Sequence, residues 1–122
     1  MADKVVHFEV VGKDGGKLQQ FYGDLFGWTV NTDNPMNYGM VQPDDAGVGG
    51  GISPAGPEGS PHLTVYIEVD DLQAALDKAE KLGGKTVNPP MDVPGGPSIA
   101  HFSDPEGNFV GLVKAGSMGA PS

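Results

Sequence analysis

The sequence predicts an α+β fold built from one strand–helix–strand–strand–strand module used twice, and three observations carry that reading. First, residues 4–52 are echoed by residues 61–112: adding 57 takes His7 to Thr64, Phe8 to Val65, Val10 to Ile67, Asp14 to Asp71, Leu18 to Ala75, Leu25 to Leu82 and Gly27 to Gly84, and an offset of 60 lays Asp44–Ile52 over Asp104–Leu112. Second, each copy switches from the two-residue apolar alternation of a strand to the three-to-four-residue spacing of a helix, and then back. Third, the period is close to half of the 122 residues. That is duplication inside one domain, because a solenoid needs three or more repeats to bury its core.

Taken in order, Val5–Val11 alternates, with Val6, Phe8 and Val10 on one face and His7 and Glu9 on the other. Asp14 can cap a helix whose stripe is Leu18, Phe21, Tyr22, Leu25 and Phe26, closed by Gly27; such a stripe reads as core. Strands are expected from Trp28, over Tyr38–Val41 and over Val48–Ile52, with Asp44–Gly47 as the turn before the last. The turn-forming stretch 53–61 is the linker.

The second copy repeats the order. Leu63–Val69 alternates, Asp70 and Gln73 offer a capping box, and Leu72, Ala75, Leu76, Ala79 and Leu82 form the buried helix stripe before Gly83-Gly84. A strand over Lys85–Val87 is followed by a Pro/Gly-rich loop from Asn88 to Pro97. A last hairpin then turns at Asp104-Pro105-Glu106-Gly107, where Pro second and Gly fourth suit a type I turn with a bulge. The expected organisation is one domain over 1–114, with module one at 4–52, linker 53–61, module two at 62–114, and a flexible tail at 115–122.

Composition excludes several classes. A net charge of −9 with only seven Lys and Arg repels nucleic-acid phosphate and anionic membrane, so neither is an expected partner. The absence of cysteine removes disulfides, thiolate nucleophiles and Cys-based metal sites. With no apolar leader and no stretch near the ~18 apolar residues of a membrane span, the expected location is cytoplasmic. Gly49-Gly50-Gly51 lacks the spacing and the lysine of a phosphate loop; glycines at inward strand positions leave room instead.

The first strand followed by Phe21-Tyr22 and Leu25-Phe26-Gly27-Trp28, the run Val65-Tyr66-Ile67-Glu68-Val69-Asp70-Asp71, and the terminal Asp104-Pro105-Glu106-Gly107-Asn108 together resemble the vicinal oxygen chelate superfamily. That superfamily includes glyoxalase I, bleomycin-resistance proteins, fosfomycin-resistance enzymes and extradiol dioxygenases, and the resemblance covers residues 4 to 114, closest to small bacterial proteins related to lactoylglutathione lyase. It implies two βαβββ modules forming a curled mixed sheet around a cavity, with the helices on the outer face, and a homodimer. The alternation then puts Val6, Phe8, Val10, Val65, Ile67 and Val69 under the helices, and turns His7, Glu9, Thr64, Tyr66 and Glu68 inward. With Ala100, Phe102, Val110 and Leu112 also facing the helices, His101 and Gly111 face inward.

Metal-dependent members hold a divalent ion through four inward positions, which carry over to His7, Gly51, Thr64 and Gly111. Only His7 is an ordinary ligand, so the resemblance implies a degenerate metal site and no required cofactor, with a divalent metal as the alternative. A three-imidazole site of His7, His62 and His101 is a further arrangement that would hold zinc or iron.

The leading expectation is a glyoxalase- or bleomycin-resistance-like protein that binds a small, partly apolar or cationic molecule in its cavity through His7, Thr64, Tyr66, His101, Gly51 and Gly111. Trp28, Tyr38, Met40 and Met91 are further candidate walls. The alternative is a metal-dependent or acid–base lyase, isomerase or dioxygenase using His7 and Glu9 as catalytic residues, with Glu68 as a second carboxylate. A structural module with a vestigial cavity is the third.

Overall fold

Eight strands and three helices make up the described part of the computed structural model, residues 2–34, 37–55 and 60–117. The chain divides into two compact units, Val6–Thr64 and Met1–Val5 with Val65–Ser122. The α+β class expected from the repeat is present in both.

The first repeat runs β1 (Lys4–Gly12), α1 (Gly15–Phe26), β2 (Val30–Asn31), β3 (Gly39–Val41), α2 (Pro43–Ala46) and β4 (Gly50–Pro54). Its sheet order is β2-β3-β4-β1, antiparallel except for the β1–β4 pair, in which Glu9 lies opposite Gly51. Asp14 caps α1 as expected, its Oδ1 accepting from the Lys17 N–H at 3.0 Å. Gly27 ends the helix at φ 74°, a left-handed conformation that a side chain would penalise. On the helix side of this sheet Val10, Val41 and Ile52 form a core, with Phe8, Leu18, Tyr22, Trp28 and Val30 packed against it. Trp28 is therefore core, its ring centroid 5.5 Å from that of Phe8.

The second repeat runs β5 (His62–Val69), α3 (Leu72–Lys81), β6 (Lys85–Asp92), β7 (Ser98–Ser103) and β8 (Phe109–Lys114), in sheet order β5-β8-β7-β6. Only β5 and β8 are parallel. Val69, Leu72, Leu76, Ala100 and Leu112 form its core, with Ile67, Ala75 and Phe102 alongside. Leu76 is fully enclosed, which stabilises the unit by about 2 kcal/mol. The last turn is as expected: the Gly107 N–H donates to the Asp104 carbonyl at 2.9 Å, and Gly107 takes φ 90°. Asn108 holds the Asp104 carboxyl below its usual range, through its side chain first and its backbone N–H second.

Several sequence expectations are corrected. The stripe of α1 is not all core: Phe21, Leu25 and Phe26 are more than half exposed, while Leu18 and Tyr22 meet the sheet. Val65 is exposed as well and lies outside the cluster that Ile67 and Val69 join with Leu72 and Leu76. The cap of α3 is Asp71, not Asp70: its Oδ1 accepts from the Ala74 N–H, and Gln73 bonds Asp77. Leu82 is the exposed C-cap, one residue past the buried stripe.

Asp44–Gly47 is not a simple turn, since Pro43 starts the single helical turn α2. The last strand of the first repeat begins at Gly50 rather than Val48 and runs to Pro54, into the expected linker; residues 56–59 lie outside the described residues. The expected loop from Asn88 is strand through Asp92. Pro89 and Pro90 fit there because β6 pairs only with β7 and its register slips at Thr86/Asn88 and Asn88/Met91, which relieves the missing N–H groups. The expected tail beyond Ser117 lies outside the described residues. No helix among the described residues is long and apolar enough to cross a membrane.

Candidate functional site

Gly51 is where the first repeat is built around a missing side chain. In the sheet it stands between Glu9 of β1 and Met40 of β3. Tyr38, two residues before Met40 and so on the same face, lays its ring across that gap. A Cβ at Gly51 would lie 1.8 Å from Tyr38 Cζ and Oη, far inside contact distance. Asn34 fixes the tyrosine from behind: its Oδ1 accepts from the Tyr38 N–H at 2.9 Å and its Nδ2 donates to the Tyr38 carbonyl at 2.6 Å.

The ring's reach brings the two candidate catalytic residues together. The Tyr38 hydroxyl donates to Glu9 Oε2 at 3.0 Å and lies 2.8 Å from His7 Nε2. A phenol has one proton, and it goes to Glu9, so His7 carries its proton on Nε2 and donates to the phenolic oxygen. Burial lowers the His7 imidazole to about 4, which leaves it neutral at neutral pH. All three side chains are half-buried.

The second repeat has a related arrangement. Gly111 stands between Tyr66 of β5 and His101 of β7, and the Tyr66 ring crosses it, with Cδ2 and Cε2 2.5 Å from where a Cβ would be. Its hydroxyl reaches His101 Nε2 at 2.7 Å. Asn88 Nδ2 lies 3.0 Å from His101 Nδ1. An amide nitrogen donates, so Nδ1 accepts and the proton of a neutral ring sits on Nε2, pointing at Tyr66. Phe109 stacks on the imidazole at 4.8 Å. Tyr66 and His101 are 6% and 8% exposed, so this pair is sealed where the first is half-open.

Thr64 is buried. His62 is exposed, its Nδ1 donating to the Ser60 carbonyl at 2.8 Å. Glu68 is half-buried on β5. Among the described residues no three His, Asp or Glu side chains gather in a way that would hold a metal ion. The room expected at Gly51 and Gly111 is taken up by the chain's own tyrosines.

Tyr38 and Asn88 are the residues that sequence reasoning undervalued. An inward glycine flanked by an inward tyrosine was the available signal for Tyr38. For Asn88 there was none, since the prolines beside it read as loop.

A family model described as "Glyoxalase/Bleomycin resistance protein/Dioxygenase superfamily" matches residues 4–112. A Mycobacterium tuberculosis protein named "Putative glyoxylase CFP32" is 34% identical over 110 residues, spanning 84% of this chain and 42% of that one. Anthracycline biosynthesis protein DnrV of Streptomyces peucetius is 30% identical over 128 residues, spanning 91% and 46%. The chain thus spans about half the length of these curated relatives. Among solved structures, a hypothetical protein from Bacillus halodurans C-125 superposes with TM-score 0.71 at 12% identity, covering 98% of this chain and 99% of that one. Methylmalonyl-CoA epimerase from Mycobacterium tuberculosis gives 0.66 at 16%, covering 90% and 86%. Both likenesses concern the fold.

Proposed function

This chain belongs to the glyoxalase/bleomycin resistance protein/dioxygenase superfamily, and we propose that it is a member that binds a small, partly apolar or cationic molecule without the divalent ion used by metal-dependent members. One observation carries the reading. Two of the four inherited ligand positions are glycines, and the space a ligand side chain would need at Gly51 and Gly111 is filled by Tyr38 and Tyr66. Of the other two, Thr64 offers a weak neutral donor, and the Nε2 of His7 is engaged with Tyr38. The residues present do not fit the ion.

The inward face of the first repeat supplies aromatic surface from Tyr38, a neutral imidazole and a carboxylate. Together they suit a flat molecule with a polar or cationic group, and a net charge of −9 favours cations at long range. A cytosolic homodimer belongs to this reading as an expectation from the family.

Metal analysis of the purified protein, with thermal melts in zinc, iron(II) and manganese(II), tests it. Sub-stoichiometric metal and an unmoved melting temperature are expected. One bound equivalent that disappears in His7→Ala would overturn it.

The Glu9–Tyr38–His7 hydrogen-bond chain favours a second reading, an acid–base lyase or isomerase. An imidazole and a carboxylate joined through the Tyr38 hydroxyl are the residue types that exchange protons with a substrate. Turnover of a small carbonyl compound that is lost in His7→Ala while its binding is kept would establish this reading over the first.

A further inference from the structure

The duplication produces two equivalent grooves on the helix sides of the two repeats, and they have diverged in a way that points to a ligand. Val10, Leu18, Phe21 and Tyr22 of the first repeat, with Leu63 at the start of β5, wall a groove of about 550 Å³ beside α1. In the second, a groove of about 610 Å³ lies beside α3. Adding 57 carries the part of the first lining that β1 and α1 contribute largely onto the second: Val10 becomes Ile67, Lys13 Asp70, Asp14 Asp71, Lys17 Ala74, Leu18 Ala75, Phe21 Lys78 and Tyr22 Ala79. Both volumes fall within the roughly 300–1,000 Å³ of small-molecule sites.

The chemistry at matching positions differs. The first groove has two large aromatics where the second has Lys78 and Ala79, and two lysines where the second has Asp70 and Ala74. Phe21 is 55% exposed and Leu63 67%, so side chains from two separate elements leave apolar surface open to one groove. Its charged and titratable lining is Lys13, Lys17, Asp14 and His62. Asp14 caps α1 and keeps its charge, so two lysines stand against one carboxylate at a mostly apolar groove. In the second groove Asp3, Asp70, Asp71 and Asp104 face the single Lys78. In a chain of net charge −9 with seven Lys and Arg, two lysines at one apolar groove form a local exception to a field that otherwise repels anions.

We propose that the groove beside α1 is a binding site for a free amphipathic carboxylate, a single acyl or aryl chain lying along Leu18, Phe21, Tyr22 and Leu63 with its carboxylate at Lys13 and Lys17, and that the groove beside α3 is its non-binding counterpart. The site lies on the opposite side of the sheet from His7, Glu9 and Tyr38, and its ligand has the opposite charge preference.

Dodecanoate below its micellar concentration is the probe, followed by calorimetry and by amide chemical shifts on the whole chain. One equivalent is expected to bind, with shifts at Lys13, Lys17, Phe21 and Leu63 and none at Ala74 or Ala79. The charge reversal Lys13→Glu with Lys17→Glu should weaken it about tenfold, and dodecyltrimethylammonium should bind at least as weakly to the wild type. Phe21→Asp, at a position more than half exposed, should abolish binding with the melting temperature little changed. The proposal is overturned if the cationic amphiphile matches dodecanoate, or if the shifts fall in the α3 groove. It is equally overturned if Phe21→Asp converts a dimer to a monomer in sedimentation, which would make the face a contact between copies, or if anionic vesicles capture the protein as tightly as free dodecanoate does.

Discussion

The two repeats use the same device with opposite degrees of burial. In each, a glycine on the fourth strand lets a tyrosine ring cross the sheet to a histidine, His7 with Tyr38 and His101 with Tyr66. The partners trade places: the first repeat carries histidine on its first strand and tyrosine ahead of its third, whereas the second carries tyrosine on its first and histidine on its third. In the second repeat the pair is sealed, backed by Asn88 and Phe109. In the first it is half-open and ends on a carboxylate. One copy therefore has the build of a strut and the other that of a working surface, and the difference arises from burial and from Glu9, since the tyrosine–histidine contact is common to both.

The largest expected effect comes from filling the glycines. Gly111→Ala should destabilise by about 3 kcal/mol, because Tyr66 and His101 are both enclosed and neither can yield. Gly51→Ala should cost only about 1 kcal/mol, although its overlap is the closer of the two, because half-buried Tyr38 can swing outward. Chemical denaturation of both variants checks the order, and equal costs would remove the distinction between strut and surface.

Acid comes next. The unfolded His7 imidazole protonates near 6.5 and the folded one near 4, so between these values the unfolded chain binds the extra proton. The contribution is complete above pH 6.5 and is lost as pH falls toward 4, at most about 3 kcal/mol and somewhat less because water reaches the site. His7→Gln should flatten that part of a stability–pH curve measured between pH 7 and 4. An unchanged slope would mean that His7 is hydrated in the native state.

Removing the hydroxyls should separate the repeats by less. Tyr66→Phe removes a buried hydrogen bond to His101 and should cost about 2 kcal/mol, whereas Tyr38→Phe should cost about 1 kcal/mol, since solvent can reach His7 and Glu9. The smallest contrast is expected at the helix starts. Asp14→Ala and Asp71→Ala each remove one equivalent cap, so thermal melts should show the same loss of about 1 kcal/mol, marking what duplication left unchanged.

Much of this fold was legible because its signals are local. Asp14, Gly27 and the Asp104–Gly107 turn act within a few residues of themselves, and the alternation around Phe8 and Ile67 needs only the strand's own period. Where the sequence misled, a non-local fact decided. Phe21, Leu25 and Phe26 have the spacing of core residues, but the sheet meets only the Leu18–Tyr22 side of α1. Pro89 and Pro90 read as loop until β6 is seen to be an edge strand with slipped register.

By itself the sequence determined the duplicated module, the faces of its strands, and the presence of glycine at matching inward positions, 51 and 111. Only the tertiary structure decided what those glycines are for. A residue without a side chain states that space exists, and the occupant of that space is chosen by whatever another strand brings to it. Here β5 brings Tyr66, and the segment that Asn34 clamps ahead of β3 brings Tyr38.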